Sequence, residues 1–401
     1  YVLENEEECI QYREIQVMRK AVYIDTFSYT TTHEMFNASL LSMCSIVFDN
    51  VTYLAGKDSS NNVTRIAEKH LRNNVDRRYC FVWKGNGRWN FLMRFVTGAL
   101  QNFRFLLASP KDVTLIFNYN NLFALRLLNW LNKYARRNLL VFCHGELEAL
   151  SSDINKAGLL SRLLNKLAKN FFLSHRTTIS PGLRFVVMGP KLKENLGYIL
   201  TSEQMKRFVC VDHSYIFRSA LPTIPKPDHK LHIGTIGVMN KAKGINKYVD
   251  LYRLLPESAK NHIAFSIVGN IQTESSILED TDICYETGDV PLSRDEYDRR
   301  IQELDYILYF YSSDAYKITA SGAIFDAINM RKPIIAIRND YFQYLFDTYG
   351  EFGYLVDDIY QMREMILKID SKEMSRKWDF DSIQHKLLPE SVATQLREIA
   401  I

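Results

Sequence analysis

No apolar run in the sequence approaches the roughly 18 residues that a membrane-spanning helix needs, so no spanning segment is expected. The first residues, YVLENEEEC, are acidic where a secretory leader is basic, so no signal peptide is expected either. Cysteines number six, at Cys9, Cys44, Cys80, Cys143, Cys210 and Cys284, with no C-x-x-C pair and no Cys/His cluster. That scatter argues against a zinc ribbon or a disulfide scaffold. It fits reduced thiols packed as small hydrophobes in a cytoplasmic protein. With 17 glycines and 10 prolines, the chain has too little of either for a collagen-like or low-complexity class. There is no G-x-G-x-x-G fingerprint; Gly85-Asn86-Gly87 lacks the spacing and reads as a turn. The basic residues lack the aromatic interleaving of a nucleic-acid motif, so nucleic acid is not an expected partner.

What is present is globular. Apolar residues make up 47% of the 401 and charged residues 24%, and that length exceeds one ordinary core. The net charge of +4 is divided unevenly. Residues 1–220 hold 29 Lys+Arg against 18 Asp+Glu, and residues 221–401 hold 21 against 28. A basic half joined to an acidic half implies different partners, and the basic half suits an anionic membrane surface or a phosphorylated acceptor.

Short apolar runs alternate with helical patterns throughout. In the first half the strands are read at 21–24, 51–55, 79–83, 112–117, 139–143, 185–188 and 208–212, with helices after His33, at 65–71, 91–107, 122–134 and 159–172. Three prolines in RSALPTIPKPDHK then mark a linker. The alternation restarts with strands at 231–236, 263–268, 306–310, 333–337 and 354–356. The expected fold class is α/β, with two Rossmann-like domains facing across a cleft. The boundaries are 1–220 for an acceptor-binding domain, 221–382 for a donor-binding domain, and 383–401 for a helix packing back on the first.

Residues 305–337, DYILYFYSSDAYKITASGAIFDAINMRKPIIAI, are the centre of the second half. A strand buried on both faces is followed by a loop with Thr319, Ser321 and Gly322, then a helix containing Asp326, then a stop at Lys332-Pro333. A Ser-Gly step opening a helix offers free backbone N–H groups to a phosphate; an ordinary N-cap explains Ser321 equally well.

Three segments of this half resemble the C-terminal domain of GT-B glycosyltransferases, most closely the retaining family-4 type. GVMNKAKG, Gly237 to Gly244, is similar to the family's Gly-Arg…Lys-Gly loop, and Lys243 falls on its diphosphate lysine. IVGN brings Gly269 onto the strand-glycine step. DAINMRKPIIAI is similar to the Glu-Ala…Gly-Lys-Pro segment, with Asp326 on the second glutamate of Glu-x7-Glu. The family arginine position holds Val238, and the first glutamate position holds Ile318. In the first half, LLVFCHGELEAL resembles the segment whose histidine faces the donor, which places His144 at the sugar or diphosphate, with Glu146 orienting it or meeting the acceptor.

The resemblance implies an enzyme that moves a sugar from a nucleotide-diphosphate donor to a hydroxyl acceptor, a saccharide or lipid-linked glycan, with retention. Alternatives on the same fold are a sugar-nucleotide epimerase or hydrolase, and a silent sugar-binding scaffold. His144, Glu146 and Lys243 are the catalytic candidates. Gly237, Lys243, Gly269, Thr319, Ser321, Gly322 and Asp326 are the donor-side candidates. His33 and Glu34, opening the helix after the first strand, are acceptor-side candidates. No cofactor and no metal are expected, and Asp280-Thr281-Asp282 reads as a solvated turn. The helix AGLLSRLLNKLAKNFF is amphipathic and basic, which fits packing on its own sheet and also contact with a membrane interface.

Overall fold

The structure is a computed structural model that describes residues 18–151, 158–218, 228–272, 275–286, 292–311 and 317–400. The proline-rich linker and Asp314 lie outside the described residues.

The first half runs β1 (Lys20–Asp25), α1 (Glu34–Val47), β2 (Asn50–Ala55), α2 (Lys57–Ala67), β3 (Val75–Tyr79) and α3 (Arg88–Ala108). It continues β4 (Val113–Phe117), α4 (Leu125–Ala135), β5 (Leu139–Phe142), α5 (Leu159–Phe172), β6 (Leu183–Val187), α6 (Pro190–Gly197), α7 (Ser202–Met205) and β7 (Phe208–Cys210). The second half runs β8 (Leu231–Ile236), α8 (Ile245–Leu254), α9 (Glu257–Lys260), β9 (Ile263–Val268), β10 (Cys284–Tyr285), α10 (Arg294–Glu303) and β11 (Tyr306–Tyr309). It ends α11 (Ala323–Asn329), β12 (Ile334–Ile337), α12 (Asp340–Tyr349), β13 (Gly353–Val356), α13 (Ile359–Asp370), α14 (Phe380–Leu387) and α15 (Pro389–Ala400).

The strands form two wholly parallel sheets, ordered β3-β2-β1-β4-β5-β6-β7 and β10-β9-β8-β11-β12-β13. These are two Rossmann-like domains. Their central strands are covered on both faces, which is why VTLIF, LLVF and IIAI are continuous apolar runs. Alternate residues feed opposite layers of core. Tyr23, Ile116 and Leu140 pack with α1 and α15, while Ile24, Leu115 and Val141 pack under α3, α4 and α5. In each sheet the order reverses between the first and fourth strands, and ligands bind such sheets beyond the carboxyl ends at that point.

Two elements depart from the sequence reading. The apolar stretch 79–83 was expected as a strand, but β3 is the polar segment VDRRY just before it. As an edge strand it exposes both faces, so it needs no apolar pattern. The helix expected at 65–71 is the end of α2, which starts at Lys57 and closes in a 3-10 turn at Glu68–His70.

The domains are joined through polar and packed contacts. Asp212 accepts from Tyr344 Oη (2.7 Å) and Tyr349 Oη (2.6 Å) of α12 and from Gln395 Nε2 (2.9 Å) of α15, so two helices converge on one buried carboxylate. The last helix, α15, lies against α1, with Val392, Ala393 and Leu396 in the core there.

Candidate active site in the interdomain cleft

A cavity of about 740 Å3 opens between the domains. His33, Glu34 and His144 line it from the first domain, and Lys243, Thr319, Ser321, Gly322 and Asp326 from the second. Glu146, Gly237 and Gly269 do not line it.

Lys243 ends the loop after β8, the first strand at the second switch point. Asn240 fixes that loop: its Oδ1 and its carbonyl both accept from the Lys243 N–H, at 3.0 and 3.1 Å. Gly244 follows at φ 84°, and a Cβ there would lie 2.6 Å from Phe310 Cβ, so only glycine lets α8 start this close to β11. The ammonium is 5.9 Å from the centre of the Tyr311 ring, and burial lowers its pKa. No carboxylate among the described residues pairs with it.

Behind this loop, a Cβ on Gly269 would lie 2.2 Å from the Gly237 carbonyl oxygen. These two glycines, expected at the donor, let two loops touch beside the Lys243 loop, and a Cβ on Gly237 would lie 3.8 Å from the hydroxyl of Tyr297 in the cavity wall.

The Ser-Gly step is built differently from an N-cap. Gly322 is the residue that opens α11, no side chain caps that helix, and Ser321 Oγ is 3.1 Å from Tyr311 Oη. With seven residues, α11 is a short source of dipole. Ser321 therefore presents a buried hydroxyl shared with a tyrosine, and Gly322 faces open space. Ile318, where the resemblance implies a carboxylate, is buried in the core of the first domain. Its N–H donates to Glu148 Oε1 at 2.8 Å, which pins the loop across the cleft.

Asp326 lines the cavity but is held by protein. Tyr215 Oη and Arg294 Nη2 both donate to its Oδ1 at 2.8 Å, and Tyr297 Oη lies 3.5 Å from Oδ2. Arg294 also pairs with Asp298 (2.8 Å), which pairs with Arg218 (2.5 Å). Two guanidiniums and two carboxylates cancel, so Asp326 acts first as a clamp on Arg294.

The opposite wall is built of imidazoles. His144 Nε2 lies 2.7 Å from the Asn118 carbonyl oxygen. A carbonyl only accepts, so Nε2 carries the proton and Nδ1 keeps a lone pair. Burial and the neighbouring His33 ring push His144 down to about 3, so it is neutral at physiological pH. The His33 ring is 5.0 Å from it, and Phe36 packs edge-on at 4.6 Å. Glu146 does not reach the ring. Its Oε2 accepts from the His144 backbone N–H at 2.8 Å, and burial pushes its carboxyl up to about 7. It shapes the turn after β5 and does not line the cavity. Glu34 is 8% exposed; its Oε2 has no hydrogen-bond partner, and burial raises its pKa against the pull of Arg294 and Arg218.

Sequence reasoning passed over Arg294, Tyr215, Tyr297 and His213, all of which line the cavity. His213 was findable, because it follows β7 as His144 follows β5. Burial pushes it down to about 4, and its ring stacks on Phe325 at 4.3 Å. Arg294 carried no motif that marked it in the sequence. Of the DxD, Asp282 Oδ2 accepts from Tyr252 Oη at 3.1 Å, and the segment lies away from the cavity.

No family profile and no curated protein matches the sequence. Solved structures do match in fold. TarM superimposes with a TM-score of 0.60 at 11% identity, over 96% of this chain and 99% of that one. The lipopolysaccharide outer core galactosyltransferase WaaB, in its apo form, gives 0.55 at 11% identity, over 95% and 99%. HepE of Anabaena, in complex with UDP-glucose, gives 0.51 at 11%, over 96% and 94%. The fold is GT-B. In that GT-B frame the cavity occupies the cleft between the carboxyl edges of the two sheets.

Proposed function

We propose that the protein is a glycosyltransferase that moves a sugar from a nucleotide-diphosphate donor to a hydroxyl of a saccharide or lipid-linked glycan, with retention at the anomeric carbon. One observation carries this reading: Lys243, a partly desolvated ammonium with no carboxylate partner among the described residues, aims at a cleft lined by both domains. A lysine kept in that state is stabilised when an anion fills the cleft.

In the reaction the bond from the anomeric carbon to the terminal phosphate oxygen breaks, and the acceptor oxygen takes its place. The acceptor proton leaves with the diphosphate or to water. Lys243 neutralises the charge that develops on the leaving diphosphate, helped by the Ser321 hydroxyl and the N–H groups around Gly322. These protein groups supply the neutralising charge, so transfer is proposed to need no metal, and a chelator leaves the rate unchanged. Neutral His144 suits a sugar hydroxyl, which donates to Nδ1, better than a phosphate. The unpartnered oxygen of Glu34 accepts a second hydroxyl. Asp326 and Arg294 are positioning residues.

The acceptor side is the first domain. A groove of about 730 Å3 between α3 and α5 includes Tyr29, Arg88, Phe91 and Leu164, and Tyr29 stands two residues from Thr31 in the cleft.

Mass-spectrometric screening of UDP-, GDP- and ADP-sugars tests the proposal. Release of the nucleoside diphosphate, faster with an acceptor glycan, is expected. Product that retains the nucleotide would assign an epimerase, and no turnover of any donor would contradict the proposal.

A further inference from the structure

The layer α3-α4-α5 covers one face of the first sheet. The three helices are neighbours. Arg126 of α4 donates to the Asn170 carbonyl of α5 at 2.9 Å, and Phe95 and Phe123 bring α3 to the segment before α4 at 5.7 Å. Inward, Leu106, Leu125, Leu128, Phe171 and Phe172 are buried on the sheet. Outward, α3 carries a second apolar stripe. Trp89, Val96, Leu100 and Leu107 share one side of the helix and are exposed, the first at 67% and the last two at 64% and 63%. That stripe runs along a helix of 21 residues, about 31 Å long. Trp130 and Tyr134 of α4 and Leu159 and Leu163 of α5 are exposed beside it.

The charge on these helices has one sign. Arg88, Arg94 and Arg104 lie on α3, Arg126 and Lys133 on α4, and Arg162, Lys166 and Lys169 on α5, with no Asp or Glu in any of the three. Arg94 is buried and holds the Trp83 and Gly85 carbonyls, so it belongs to the fold. Of the acids nearby, Asp76 pairs with Arg78 and Asp112 lies 3.7 Å from Lys20.

We infer that this face is an interfacial docking surface for an anionic lipid bilayer. The apolar stripe enters the headgroup region while the arginines and lysines meet lipid phosphates. No helix among the described residues is long and apolar enough to cross a membrane, so the contact lies in the plane of the surface. A nucleic acid would use the charge but leave the Trp89-Leu100-Leu107 stripe in water. A lipid interface uses both, with tryptophan at the headgroup level. The inference stands independently of sugar transfer, because it rests on none of the cleft residues.

The test is co-sedimentation of the full chain with vesicles of phosphatidylcholine alone, and of phosphatidylcholine with about a third phosphatidylglycerol. Binding to the anionic vesicles is expected, falling at least about tenfold in high salt or without the anionic lipid. Replacing Arg104, Lys133 and Arg162 together by Gln removes about fivefold per charge, about a hundredfold in all. The triple change Trp89→Ser, Leu100→Ser and Leu107→Ser weakens binding at both salt levels. The charge variant alters exposed side chains only, so a wild-type melting curve for it separates lost binding from lost folding. Failure of the wild type to bind anionic vesicles overturns the inference, as does equal binding by a folded charge variant. Retention on a single-stranded oligonucleotide without vesicle binding would assign the face to nucleic acid. A dimer that the apolar variant alone loses, again without vesicle binding, would assign it to self-association. Either result overturns the inference.

Discussion

The two walls of the cleft handle charge in opposite ways. On the first domain, burial removes it from the imidazoles: His144 and His213 are held neutral. On the second domain charge is retained, either cancelled in the network that Arg294, Asp298 and Asp326 form with Arg218 of the first domain or left open at Lys243. Two neutral imidazoles face an ammonium with no carboxylate partner among the described residues, an arrangement that fits the proposed donor, a sugar on a diphosphate. The lesson concerns identity as well as number: both walls hold ionisable groups, and burial against pairing decides which stay charged.

The largest break in this contrast comes from Lys243→Ala, which removes the open cation. Turnover with a productive donor should fall by about a hundred- to a thousandfold in kcat/KM, measured by release of nucleoside diphosphate, with stability little changed. Acid tests the other wall. His144 and His213 take up protons more readily unfolded than folded, so their contribution to stability is present above about pH 6.5 and is lost as pH falls toward 4. Urea unfolding across that window should show about 1.4 kcal/mol per pH unit for each histidine, and His144→Gln should remove one such share.

How much of this was legible in the sequence depends on where each residue sits. Central strands such as LLVF and IIAI announced themselves because burial on both faces forces an unbroken apolar run. The polar edge strand VDRRY did not, since nothing covers it. The resemblance pointed to Lys243 and His144, and each follows a parallel strand at the carboxyl edge, where such sheets bind ligands. Arg294 was hidden because its meaning depends on Asp326 and Tyr215, 32 and 79 residues away in the chain. Adjacency to His144 in sequence put the Glu146 carboxylate on the backbone N–H and not on the ring. Ser321, open in sequence between a phosphate site and a helix cap, turned its hydroxyl toward Tyr311.

Smaller effects sharpen the contrast further. Asp326→Asn should unbalance the paired network and leave Arg294 short of a carboxylate. The expected cost is about 2 kcal/mol in urea unfolding, with a loss of activity that Lys243→Ala does not accompany with instability. Glu146→Gln should act with the opposite sign to the histidines. The folded carboxyl keeps its proton to about pH 7 while the unfolded one ionises near its ordinary value of 4.5, so the wild type loses stability as pH rises through that window. At pH 8 the Gln variant should be more stable by about 1–2 kcal/mol.

The contrast between the walls is tested most directly by calorimetric titration of UDP-, GDP- and ADP-sugars into the wild type and the Lys243→Ala variant. The account predicts saturable binding of at least one donor by the wild type and its loss, by about a hundredfold or more, in the variant. Equal affinity in the two proteins would contradict it, as would no binding of any donor by the wild type.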